Sequence, residues 1–122
     1  MSDVPTTYEE IKELVTAGGG LTTVYAASLR DAEGAGRLSP GIMRKISASL
    51  ANRGLGHVPY DASLLPTGQW ALVRVFDRAS QVGEVLVAAH EPGQEYDQVL
   101  REAVIDDDRN ILEQVRILVR KE

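Results

Sequence analysis

Cysteine is absent from the 122-residue chain. That excludes disulfides, thiolate zinc sites and a cysteine nucleophile, and it suits a reducing compartment. Histidine is scarce. His57 and His90 are the only two, and neither lies in an HExxH, HxH or comparable ligand spacing, so no metal site is expected. No run approaches the roughly 18 apolar residues of a membrane span. The opening MSDVPTTYEE lacks the basic and then apolar order of a signal peptide, so a cytoplasmic protein without a membrane partner is expected. The triple glycine Gly18-Gly19-Gly20 has no preceding strand and no GK[ST] or GxGxxG pattern, and it reads as a helix stop. Asp106-Asp107-Asp108 lacks the DxDxDG order of a calcium loop and reads as a solvated helix cap. His57, Asp61 and Ser63 are near one another in sequence, but no GxSxG elbow accompanies them, so turn and capping roles are expected for the last two. No catalytic residue and no cofactor are expected.

What is present has the proportions of a folded domain. The chain has one ordinary domain's length, with 43% hydrophobic and 25% charged residues, close to globular averages. The net charge of −5 argues against a strongly basic surface overall, yet the charge is unevenly placed. Between residues 30 and 60 the basic groups Arg30, Arg37, Arg44, Lys45 and Arg53 face only Asp31 and Glu33. That stretch is therefore net positive, and the remainder is correspondingly more acidic. Such a dipolar chain can offer its middle to phosphate while the rest limits non-specific attachment.

The stretch RLSPGIMRKISASLANRGLGHVP, from Arg37 to Pro59, organises the chain. Ser39 supplies a cap, Pro40 the φ of a first helical residue, and Gly54 the left-handed stop, which predicts a helix over 40–53. Ile42, Met43, Ile46 and Leu50 recur at spacings of three and four and form one apolar stripe. Arg44, Lys45, Ser47, Ser49, Asn52 and Arg53 lie mostly off it.

Upstream, Thr6 or Thr7 followed by Glu9 or Glu10 has the form of a capping box, predicting a helix from Tyr8 to Ala17 with Tyr8, Ile11, Leu14 and Val15 on one face. Leu21 to Tyr25 reads as a short strand and Ala26 to Glu33 as a short helix anchored by Leu29. Gly34-Ala35-Gly36 turns the chain into the central helix. Downstream, Leu55–Tyr60 and Trp70–Phe76 read as the arms of a β-hairpin with a long turn-rich tip over 61–68. Trp70 is expected as a core anchor. A helix-turn-helix followed at once by a hairpin, with the early strand as a third partner, resembles the winged helix-turn-helix class over Thr7 to about Ala89. The segments GRLSPGI, LANRGLGHVP, LPTGQWALVRVF and ILEQVRILV also resemble short uncharacterised actinobacterial proteins, which brings no activity with it.

Ser80 is positioned to cap a helix running to His90, with Val82, Val85, Leu86 and Ala89 buried. A strand through 83–87 fits the alternation almost as well, and the helix is preferred. Pro92-Gly93 divides the chain into a winged-helix-like domain, residues 1–91, and a C-terminal helical segment, residues 92–122. In that segment Tyr96, Val99, Leu100, Ala103 and Val104 make one stripe. Ile111, Leu112, Val115, Leu118 and Val119 make another. These apolar faces either fold back on the domain or pair in a homodimer through Val104 and the 111–119 stripe. The dimer would set two basic helices on successive turns of a duplex.

The expectation is therefore an α+β fold: three helices and a β-hairpin in a small winged-helix-like domain, with a C-terminal helical appendage. The expected function is non-enzymatic binding of double-stranded DNA, as in a transcriptional regulator, with helix 40–53 in the major groove. Arg37, Ser39, Arg44, Lys45, Ser47, Ser49, Asn52 and Arg53 are the candidate contacts, joined from the hairpin by His57, Arg74 and Arg78. The alternative is a protein-interaction module on the same scaffold with no nucleic acid involved.

Overall fold

The computed structural model describes residues 4–104. Contacts divide the chain between Gly83 and Glu84. The first unit holds α1 (Tyr8–Ala17), β1 (Leu21–Tyr25), α2 (Ala26–Glu33), α3 (Pro40–Asn52), β2 (Leu55–Val58), a 3₁₀ turn (Ala62–Leu64) and β3 (Leu72–Asp77). A further helix, α4 (Gln81–His90), runs across the division. In the second unit residues 94–104 are again helical and form α5.

The first unit has the small mixed α+β arrangement expected, helices with a three-stranded sheet. Its sheet is antiparallel with order β1–β3–β2, so the early strand returns to pair with the second arm of the hairpin. Leu21 is opposite Phe76 and Val24 opposite Val73, while on the other edge His57 faces Val75. Strand side chains alternate between faces. Val24, Val73, Val75 and Leu55 therefore share one face, and they join Tyr8, Ile11, Val15, Leu29, Met43, Ile46 and Leu50 in a single core.

The helix boundaries follow local chemistry. Thr7 accepts from the Glu10 N–H at 3.1 Å, and the Glu10 carboxylate returns to the Thr6 backbone N–H and to both threonine hydroxyls. Those three donors hold that carboxyl below its ordinary pKa. Ser39 accepts from the Ile42 N–H at 3.2 Å to open α3. Gly54, at φ +75°, follows its last turn. The left-handed region is one that side chains with a Cβ seldom enter. Ser80 caps α4 by accepting from the Gly83 N–H at 3.0 Å, which decides residues 81–90 for helix rather than strand.

Three details differ from the reading of the sequence. Leu14 and Ala89 are exposed, Val82, Val85 and Leu86 are half-buried, and Gly83 and Ala88 are the buried residues of α4. The hairpin arms are shorter, because β2 ends at Val58 before the cis Val58–Pro59 peptide and β3 begins only at Leu72. Trp70, expected in the core, is 68% exposed and packs edge-on against Tyr25 at 5.5 Å between centroids. It precedes the strand, so no pleat directs it inward. In α5 Tyr96, Val99, Leu100 and Ala103 are half-buried while Val104 is exposed. Ile111, Leu112, Val115, Leu118 and Val119 lie outside the described residues.

Phe76 is fully buried although its place in β3 sets it on the face opposite the core, and its ring fills the position a Cβ on Gly56 would take. A buried ring has nowhere to retreat, so Gly56→Ala should destabilise the domain by about 1–3 kcal/mol. Urea denaturation checks this: the midpoint falls while the slope with denaturant stays constant.

Candidate nucleic-acid interface

α3 is positioned by its own apolar stripe. Met43, Ile46 and Leu50 are completely buried, each contributing roughly 1.5–3 kcal/mol by leaving water. At 100° per residue this fixes the opposite arc, which consists of Gly41, Arg44, Lys45, Ala48, Ala51 and Asn52. Arg44, Lys45, Ala48, Ala51 and Asn52 are exposed, as is Arg37 in the turn leading in. No acidic residue occurs between Glu33 and Asp61. Among the described residues Arg37, Arg44, Lys45 and Asn52 make no side-chain hydrogen bond or ion pair. The arc thus joins free cations with side chains small enough for a close approach to the helix.

The remaining predicted contacts have other work. Glu33 accepts from the Tyr8 hydroxyl at 2.6 Å and from the Ser49 hydroxyl at 2.7 Å. These two donors, Tyr8 first, hold its carboxyl below the ordinary value against the opposing effect of burial, with smaller help from the charges of Lys45 and Arg53. Burial and then the Glu33 hydrogen bond push the Tyr8 phenol well above its ordinary value. Arg53 lies over the Tyr8 ring, 4.3 Å from its centroid, and donates to the Ser49 carbonyl at 2.9 Å. Tyr8, Glu33, Ser49 and Arg53 thereby tie α1, α2 and the end of α3 together.

His57, a candidate contact from the hairpin, is only 5% exposed. It points from β2 to the core side, like Leu55 two residues earlier. Its Nδ1 lies 2.6 Å from the Pro59 carbonyl oxygen and its Nε2 lies 2.7 Å from the Ser47 hydroxyl. A carbonyl only accepts, so Nδ1 carries the proton, and in the neutral ring Nε2 accepts from Ser47. Burial is the main cause that lowers this histidine's pKa, outweighing the Pro59 hydrogen bond, which raises it; Arg78 lowers it further and Asp61 raises it.

A phosphate oxygen needs donors. Ser47 and Ser49 direct their hydroxyl protons to His57 and Glu33. Ser39 keeps its hydroxyl proton while it caps α3. Arg74 is exposed but stands opposite Thr23 and Val58 on the face of the sheet away from the core, and it does not join the α3 cations. Arg78 shares a cleft of about 180 Å³ with Ser47, His57 and Tyr60. Asp61 accepts from the N–H and hydroxyl of Ser63, which is the turn role expected of it. Among the described residues no three acidic or histidine side chains converge as a metal-ligand group, and no helix is long and apolar enough to cross a membrane. Glu33 and Tyr8 were not foreseen as partners of α3, since the bonds that join Glu33 to Tyr8 and to Ser49 span 25 and 16 residues.

Two outcomes follow from this geometry. Glu33→Ala leaves the Tyr8 and Ser49 hydroxyls without their acceptor and should cost about 1–2 kcal/mol in urea unfolding. Because the His57 pKa is lowered on folding, the unfolded chain binds more protons as pH falls below the ordinary histidine value of about 6.5. His57 therefore contributes stability that is present above that value and lost as pH drops toward its folded pKa. Unfolding at pH 7.5 and about 5.5, above the carboxylate range, should show a loss in the wild type that shrinks in His57→Gln. No protein-family model, curated protein or solved structure matches this chain.

Proposed function

We propose that the protein is a non-enzymatic, cytoplasmic DNA-binding regulator that lays the outward arc of α3 in the major groove of a duplex. The observation that carries this reading is the set of unpaired cations, Arg37, Arg44 and Lys45, on or beside a helix whose exposed side is otherwise Gly41, Ala48, Ala51 and Asn52. A major groove about 12 Å wide admits one α-helix, and small side chains let its axis sit deep. The order of elements from α1 to β3, which puts a surface helix just before a hairpin, is that of winged-helix DNA readers and supports the same reading. Arg44 and Lys45 would hold phosphates, and Asn52 has the paired donor and acceptor that suit an adenine edge. The hairpin tip over 59–71 carries Asp61 and no basic residue, so this reading assigns the affinity to α3. In this reading two copies pair through the 111–119 stripe and bring two such helices to one duplex.

Phosphate neutralisation releases counterions, so log affinity should fall with log salt at a slope of about −3 per chain for three contacts. The double variant Arg44→Glu with Lys45→Glu should fold normally, because both side chains are exposed and unpaired. Lys45 assists Glu33 only through its charge, so unfolding in urea is compared alongside; the double variant should reduce duplex affinity at least about tenfold and flatten the slope by about 2. Fluorescence anisotropy with a labelled GC-rich duplex at two salt concentrations measures both. Duplex affinity unchanged by the double reversal would refute the assignment and turn attention to a protein partner.

A further inference from the structure

A second concave site lies along β1, bounded by Leu14 of α1, Leu72 of β3 and the Val4–Pro5 segment, with a volume of about 400 Å³. None of the residues lining it is charged. Leu72 is 63% exposed, and Val4, Leu14 and Tyr25 are exposed as well. Trp70 braces the Tyr25 ring from the side. The floor includes Ser28, which is 1% exposed and whose hydroxyl has no hydrogen-bond partner.

That hydroxyl has no structural duty. It stands in the first turn of α2, where a serine usually bonds a backbone group of its own turn. The leading N–H groups of the helix are satisfied from elsewhere, Ala26 by the Ala71 carbonyl at 2.8 Å and Ala27 by the Gln69 carbonyl at 2.9 Å. Buried polar side chains are nearly always paired. Apart from Thr22 and Thr23 the rest of the lining is apolar, and Ser28 is its one buried, unpartnered polar side chain; an uncharged groove with few polar groups is a common constitution for a small-molecule site, and its volume is within the usual range for one.

We propose that this groove binds a neutral, largely apolar small molecule of one or two rings whose single hydroxyl or carbonyl pairs with Ser28. Neutrality follows from the uncharged lining, since no group here compensates the desolvation of an ion. Size follows from volume: an apolar cavity of about 150 Å³ takes benzene, so the groove admits two fused rings. Leu14, Leu72 and Tyr25 contact the rings, and the Ser28 hydroxyl fixes their orientation. The site uses no residue of α3 and does not depend on DNA binding.

The test uses the ¹⁵N-labelled full chain with 1-naphthol and with naphthalene, which lacks the hydroxyl. Saturable amide shifts should centre on Leu14, Thr22 to Tyr25, Ser28 and Leu72, with 1-naphthol binding about 5-fold more tightly. Ser28→Ala removes only an unpaired hydroxyl, so the fold is retained and the two probes should bind equally. Leu72→Lys, at an exposed position, should weaken both. Absence of saturable shifts with 1-naphthol, shifts centred elsewhere, equal binding of the two probes to the wild type, or a preference that survives Ser28→Ala would each overturn the proposal.

Discussion

The burial of Met43, Ile46 and Leu50 is the constraint on which the rest of the domain depends. These side chains belong to the core that also takes Val73 and Val75 from the central strand and Leu55 from β2. Once they are buried, helix geometry leaves no choice about which residues of α3 face outward. The cap at Ser39 and the turn at Gly54 set its length, and the pairing of β1 with β3 closes the sheet beneath it. The small residues and free cations of α3 are on the surface because the large apolar ones have gone inside.

Polar side chains around α3 divide according to what their hydrogen bonds are used for. Ser49 and Arg53 work with Glu33 and Tyr8 to fasten three helices, and Ser47 donates to a buried neutral histidine on β2. These groups stabilise the position of the helix and have little left to offer a ligand. Arg37, Arg44, Lys45 and Asn52 have no such employment, so a partner meets them without breaking an internal bond. In a chain of net charge −5, the helix is locally basic while the remainder is acidic.

Much of this was legible in the sequence wherever the signal was local. Thr7 with Glu10, Ser39 with Pro40, and Gly54 marked helix limits correctly, and the β-branched run from Leu21 to Tyr25 marked the strand that completes the sheet. The competing strand over 83–87 lost because Ser80 caps a helix there. For Trp70 and His57 residue type was given more weight than position: Trp70 lies ahead of β3, where no pleat orients it, and His57 lies within β2, where parity sets its side. Val73 and Val75 face the core, so even-numbered neighbours such as Leu72 and Arg74 face away. Leu55 is in the core, so His57 shares its side. The contacts that settle the roles of Ser47 and Ser49 join positions 10 and 16 residues apart across different elements, and no spacing rule reaches them. The unpaired Ser28 hydroxyl was equally invisible, because serine in a first helical turn reads as ordinary helix chemistry.

The most direct test of the central claim, that the outward arc of α3 is the ligand-facing surface, is a residue-level map of the bound state. Titrating the ¹⁵N-labelled protein with a short unlabelled duplex at low salt should perturb the amides from Arg37 through Asn52, led by Gly41, Arg44, Lys45 and Ala48. Phe76 and the amides of β1 should stay in place. Perturbations confined to the sheet or the hairpin tip, or a spectrum that does not change with duplex, would contradict the account.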